Sequence, residues 1–349
     1  PLFGGPRCAF SFPSMECWKR LVSRVKGDHG PSLSEVVWGE SMADEELLGL
    51  LKQGPAVWNG WKRQNGSVTL DFAETDLTRC DLFGVDLAGA DLTGAKLDGA
   101  HLGEANLVRA NLSGASLQGA TITRANLAKA NLSRGTLEEA ELTGADLTRA
   151  NLPGAKLDKA DLRGAQLLLA NLTRTSFVDA NFPVAELSKA VLTGADLSRA
   201  NLAGANLQGA RLLTANLSGA DLTRANLEGA NLWKANLSGA KLTGADASHA
   251  QFVDADLSRA DLLLAKLASA NLQDARLAEA SLKEADLTEA RLVETDLWKA
   301  ELAGAKLIGA ELIRANLAEA DLKGANLSRS ILHHTNLEKA NLDGCRIYG

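Results

Sequence analysis

His333 and His334 are the one adjacent histidine pair in this 349-residue chain. Imidazole is the commonest metal-binding side chain, so the pair invites a metal reading. A metal site needs further converging ligands, each held by hydrogen bonds from behind. The register described below stacks the pair on Ile313 and Arg314, and one of those is a cation. The pair therefore does not read as a metal centre. The four cysteines, Cys8, Cys17, Cys80 and Cys345, show no CxxC and no framework spacing. They read as reduced thiols of a cytosolic protein. Carboxylates are plentiful, with 43 Asp and Glu against 37 Lys and Arg and a net charge of −6. Acid–base chemistry needs a carboxylate or imidazole with a shifted pKa in a pocket, and the positions that turn inward here are apolar. No phosphate-binding loop, dinucleotide fingerprint or nucleophile elbow occurs. No catalytic, cofactor-binding or metal residue is assigned.

The elements that would have to position any such group are set by a repeat. From Leu70 to Gly344 the chain divides into 55 units of five residues without an insertion or deletion. The middle residue of each unit, its centre, is Leu in 49 of them; the others are Phe72, Ile122, Phe177, Phe182, Ala247 and Phe252. Two residues earlier stands a small residue, Ala in 46 units. Between them lies a mostly polar residue, often Asp or Asn. Two corner residues follow the centre, and the second is Gly in 20 units. A period of five stays in phase with neither a helix nor a flat strand. Small–polar–large describes a short extended piece with two inward side chains flanking an outward one. The next two residues turn the chain. Pro153 before Gly154 suits a turn with positive φ at its second corner. Four corners close a 20-residue coil, and stacked coils at about 4.8 Å give a rod of roughly 65 Å.

Segments such as "ADLTGAKLDGA" and "ANLSGASLQGA" resemble the pentapeptide-repeat proteins, whose consensus is A(D/N)LXX. The resemblance covers residues 70–344. It implies an all-β solenoid, a right-handed quadrilateral β-helix of about 14 coils, here with a small N-terminal α-helical cap. The handedness comes from the resemblance alone.

Residues 1–69 break the period. Residues 1–41 read as a partly helical or irregular segment, basic over Lys19–Lys26. Residues 42–69 read as a helical cap, Met42–Gln53 followed by a second helix opening at Pro55. Leu47, Leu48, Leu51, Val57, Trp58 and Trp61 are its apolar contacts, expected to cover the first coil as solenoid ends are covered. Residues 345–349 form a short tail. Similar proteins often dimerise end to end there, so Ile347 and Tyr348 are candidates for self-association, with Tyr348 as an alternative plug. No apolar run approaches the roughly 18 residues of a membrane span. Pro1 in place of Met reads as a processed or trimmed start, and the cytoplasm of a bacterium is the expected compartment.

Residues 20 apart stack, so each corner position forms a column. The first-corner column beginning Ala73, Thr93, Ser113, Ser133, Pro153, Thr173 and Thr193 is small or polar. It then becomes Leu213, Trp233, Val253, Gln273, Val293, Ile313 and His333. No other first-corner column turns apolar in a block. The strip Leu213, Trp233, Val253, Val293 and Ile313 is either a ladder covering itself or an interface.

These readings point to a non-enzymatic protein-interaction or scaffolding rod, expected to form a homodimer or larger assembly through its C-terminal end or the apolar strip. No cofactor is implied. Direct nucleic-acid binding lacks a basic stripe to supply phosphate contacts. The alternative, implied by the resemblance, is a DNA mimic that binds type II topoisomerase (gyrase or topoisomerase IV) and gives resistance to topoisomerase poisons. The mixed charge of every face and the absence of projecting loops fit that alternative poorly.

Overall fold

The computed structural model describes residues 44–66 and 68–348. The segment 1–41 and the expected helix start at Met42 lie outside them. Helix α1 is Asp44–Leu51 and helix α2 is Pro55–Gln64. Gly54, at φ 99°, separates them, and Pro55 opens α2 where its missing N–H has no partner to lose.

From Leu70 onward each unit pairs with the unit 20 residues away through a single parallel bridge, from Asp71 with Asp91 to Asn326 with Arg346. One coil therefore has four faces. The first carries centres Phe72 to Leu332, and the second, third and fourth begin at Leu77, Leu82 and Leu87. The paired stretch is short because corners bend the chain every five residues.

Backbone accounting explains the pattern of residue types. In the first unit Phe72 N–H donates to the Asp91 carbonyl at 2.7 Å, and Asp91 N–H to the Leu70 carbonyl at 2.8 Å. Glu74 N–H donates to Thr93 at 2.8 Å in the next coil, while Thr75 N–H closes the turn onto Phe72 at 3.3 Å. Only the first-corner N–H lacks a place in this scheme. The outward Asp or Asn two residues earlier accepts it, as Asp76 does from Thr78 at 3.0 Å and Asn231 from Trp233 at 3.1 Å. That is the physical reason for Asp and Asn in the outward slot: an Asx turn completes the backbone's hydrogen bonds.

The interior is four stacks of centres with small residues between them. From Phe72 to Leu322 every centre is at most 1% exposed. Consecutive centres in one coil touch: the rings of Phe177 and Phe182 lie 4.9 Å apart, edge to face. Thr175 and Thr295, in small-residue slots, hide their hydroxyls by donating to the Leu152 and Leu272 carbonyls, each at 2.7 Å.

Every second corner from Glu74 to Gly344 has positive φ, whether or not it is glycine. Long charged side chains such as Arg134 and Lys234 hold φ near 55° there. From Glu74 to Arg329 a ladder bond from the second-corner N–H pins that geometry against its intrinsic cost of about 1–2 kcal/mol.

Helices α1 and α2 lie beside the first coil. Trp58 is fully buried, with its ring 5.5 Å from Phe72 and 5.3 Å from Trp61. Its Nε1 donates to the Asp86 carbonyl at 2.7 Å. Lys62 Nζ reaches the same carbonyl and the Asp86 carboxylate, both at 3.0 Å. Leu47 and Leu51 are buried, and Leu48 and Trp61 are half-buried. Val57 corrects the expectation of a shared apolar face, since it is 43% exposed. The buried side of α2 centres on Trp58; Trp61 lies at its margin, and Val57, about 100° around the helix from Trp58, lies beyond that margin.

Candidate interaction surface

The first face gathers the residues singled out by their departure from the repeat. Its first-corner column stacks through the ladder: Thr214 N–H donates to the Trp233 carbonyl at 2.8 Å, and Lys234 N–H to Val253 at 3.0 Å. Glu294 N–H donates to Ile313 at 2.9 Å and continues the column. The structure thus brings Leu213, Trp233, Val253, Val293 and Ile313 into one line. All but Trp233 are half-buried. Trp233 is 38% exposed, and Lys234 Nζ lies 4.4 Å from its ring centre. That cation–π contact covers one part of the indole and leaves the rest open to solvent.

The N-terminal half of the same face is built differently. Its outward column is an amide ladder, in which Asn111 Nδ2 donates to Asp91 at 3.3 Å and Asn131 to Asn111 at 2.9 Å. Asn151 continues it to Asn131 at 3.2 Å and Asn171 to Asn151 at 2.8 Å. Ser113 and Ser133 hydroxyls meet at 3.0 Å beside it. From Asn111 to Asn171 the column is uncharged.

The two edges of this face carry the charge. One edge is the second-corner column before it, with Arg109, Lys129, Arg149 and Lys189; the other is the column after it, with Arg134 and Arg174 in its N-terminal half. All six are exposed, and none forms an ion pair with a described residue. Past Lys234 the second of these edges becomes acidic, with Asp254, Asp274 and Glu294. Glu294 pairs with Arg314 at 3.0 Å. Along the chain these cations are masked by intervening acids, and no basic run appears. Reading the second-corner positions at a period of 20 is the signal that reveals them.

The remaining candidates stay apart from this face or add nothing to it. His333 and His334 have ring centres 4.0 Å apart and are exposed. Among the described residues no group of three or more His, Cys, Asp or Glu is placed to hold a metal ion. Cys345 is half-buried, and its Sγ donates to the Leu322 carbonyl at 3.0 Å. Burial raises its pKa, which keeps it a thiol and a poor nucleophile. Ile347 and Tyr348 are 62% and 73% exposed, so Tyr348 does not plug the adjoining coil. No helix among the described residues is long and apolar enough to cross a membrane.

Comparison with known proteins follows the same lines. A family model described as pentapeptide repeats matches in overlapping segments from residues 70–99 through 310–347. No curated protein sequence matches the chain. Among solved structures, HetL from the cyanobacterium Nostoc sp. strain PCC 7120, a pentapeptide repeat protein involved in heterocyst differentiation regulation, is 37% identical. That match covers 61% of this chain and 89% of HetL, at a TM-score of 0.40. QnrB1, a plasmid-mediated fluoroquinolone resistance protein, is 20% identical over 56% of this chain and 89% of its own, at a TM-score of 0.36. Rfr23 from the cyanobacterium Cyanothece 51142 is 33% identical over 36% of this chain and 86% of its own, at a TM-score of 0.18.

Proposed function

Because this chain belongs to the pentapeptide-repeat proteins, with its repeats spanning residues 70–347, we propose that it is a non-enzymatic, protein-binding rod that docks partners along its first face. The coils form a right-handed quadrilateral β-helix, and α1 and α2 act as its N-terminal cap. A shared rod does not define a role, so the function lies in the side chains that one face carries and the others lack. The observation that supports this reading most is the line Leu213, Trp233, Val253, Val293 and Ile313. It spans five coil steps, or about 24 Å, with Gln273 as its one polar interruption. Its most exposed member is a tryptophan, the residue type most favoured at the centres of protein interfaces.

The test is the pair Trp233→Ser and Val253→Ser in the full chain. Both positions lie outside the interior stack, so the rod's thermal midpoint stays within a few degrees of wild type. Affinity capture from the source cell, together with sedimentation, reads the outcome. Loss of a captured protein or of self-association supports the docking face. Capture and oligomeric state both unchanged would sink it.

The duplex-mimic alternative has less behind it. A mimic of DNA presents a dense negative field, whereas both edges of the first face carry cations in their N-terminal halves that form no ion pair with a described residue. A gyrase supercoiling assay with and without a quinolone decides it: neither inhibition nor protection removes that reading.

A further inference from the structure

The two halves of the first face are complementary to each other. On the edge that follows the face, Arg134 and Arg174 stand two coils apart, about 10 Å, and so do Asp254 and Glu294. Thr214 lies on this edge midway between them: four coils separate it from Arg134 and from Glu294, and two coils from Arg174 and from Asp254. A two-fold axis through Thr214, perpendicular to the rod and lying in the plane of the face, lays this edge against itself in the opposite direction. Arg134 then meets Glu294 of a second copy, and Arg174 meets its Asp254. The symmetry repeats both pairs, making four.

We propose that this chain pairs with a second copy of itself, antiparallel and first face to first face, with the dyad at Thr214. Shape follows the same symmetry. Trp233 opposes Thr193, Val253 opposes Thr173, and Val293 opposes Ser133, so the bulky half of the column meets the small half. On the other edge Glu289 falls between Lys129 and Arg149 of the second copy. A parallel pairing would swap the edges and set Arg134 against Lys129 and Arg149, and Arg174 against Lys189, a repulsive arrangement. The signs therefore select the antiparallel one. Two like-charge approaches remain: Arg211, exposed and outward beside the dyad, faces its own copy, and near the ends of the overlap Arg329 falls beside Arg109 of the second copy.

Ten coil steps of overlap are about 48 Å long, and a face of three extended residues is about 10 Å wide. The pair buries about 1,000 Å² in total before the edge side chains are added, the lower end of specific interfaces. Association is therefore reversible and salt-sensitive.

The proposal rests on the reading of the first face as a docking face and names its occupant. It is tested by charge reversal in the full chain, with sedimentation velocity at about 0.05 M and about 0.5 M salt, where screening lengths differ severalfold. Wild type is expected to be dimeric at low salt and to lose the dimer at high salt. Arg134→Glu with Arg174→Glu is expected to be monomeric, as is Asp254→Arg with Glu294→Arg. Mixing the two variants restores a dimer, because every contact then joins opposite signs. Arg211→Ala tightens the wild-type dimer. Circular dichroism confirms that each exposed substitution leaves the rod folded. Wild type that stays monomeric at low salt overturns the proposal. So do mixed variants that stay monomeric, and a dimer abolished by Ile347→Asp with Tyr348→Asp but untouched by the charge reversals. A monomer that binds double-stranded DNA through Arg134 and Arg174 assigns the cations to a polyanion, and also overturns it. If self-association fails while Trp233 and Val253 still govern capture of another protein, only the identity of the occupant is lost.

Discussion

Trp58 is where the helices meet the rod, and its removal has a local consequence that can be worked out. The indole is fully buried, packs on Phe72 and Trp61, and donates to the Asp86 carbonyl. Truncating a buried Trp to Ala costs about 3–5 kcal/mol. Trp58→Phe keeps most of the ring and loses the hydrogen bond, at a cost of about 1 kcal/mol. The Asp86 carbonyl is not orphaned in either variant, because Lys62 Nζ remains 3.0 Å away. In a solenoid each coil contacts only its neighbours, so the loss is confined to the end of the rod. Native-state hydrogen exchange reads this directly. The Leu77, Leu82 and Leu87 amides, bonded to the Lys96, His101 and Asn106 carbonyls, lose protection in Trp58→Ala. The Leu287 and Leu292 amides, ten coils away, keep theirs. Trp58→Phe is intermediate at the first three and silent at the last two. Equal loss at both places would refute nearest-neighbour stability; no loss at Leu77 would refute the capping role of α2.

Other consequences follow from single features. Val184 is β-branched, 69% exposed and held at φ 53°. Val184→Gly removes a strain of about 1–2 kcal/mol and adds glycine's entropy cost of up to about 1 kcal/mol, so the thermal midpoint rises modestly. Ala247, the one alanine centre, immediately precedes Phe252 in its coil. Ala247→Leu overpacks by about 1–3 kcal/mol, and Phe252→Leu leaves a void. The double variant restores the Leu–Leu arrangement, and a double-mutant cycle in chemical denaturation shows a favourable coupling of at least about 1 kcal/mol. Burial raises the carboxyl pKa of Asp246 and Asp286, but hydrogen bonds from Ser248 and Thr288 and charge from Lys266 and Lys306 outweigh it, so both end lower than usual. A carboxylate lowered on folding stabilises fully above its unfolded pKa and loses that contribution as pH falls through the folded value. Acid therefore lowers the thermal midpoint of wild type more than that of Asp246→Asn with Asp286→Asn.

Most of the architecture was legible because one sequence feature, a period of five without a break, admits few solutions. The inward slots could be named individually, and from Phe72 to Leu322 the centres are buried as that period requires. The alignment of Trp233 with Leu213 and Ile313 was legible too, since stacking at 20 residues follows from four corners. Val57 was misread because a helix of ten residues separates neighbours by 100°, and propensity does not say which side meets the rod. The edge cations were missed for a different reason. Arg134 and Arg174 are 40 residues apart in sequence, with Glu138, Glu139 and Asp161 between them, and only the register places them on one edge.

The sequence by itself determined the coil: its length, its four faces, its apolar filling and its stacking order. These follow from side-chain type at a fixed period, and no long-range information is needed to read them. Only the tertiary structure decided why Asp and Asn fill the outward slot, since the first-corner N–H left out of the ladder is visible only once the ladder is drawn. Only it decided that charged residues without glycine's freedom take positive φ at the corners, because the bond that holds them there comes from the next coil. The first face, neutral and cation-edged in one half and apolar and acid-edged in the other, exists in no segment of the chain. It is a sum over coils, and stacking is what performs the sum.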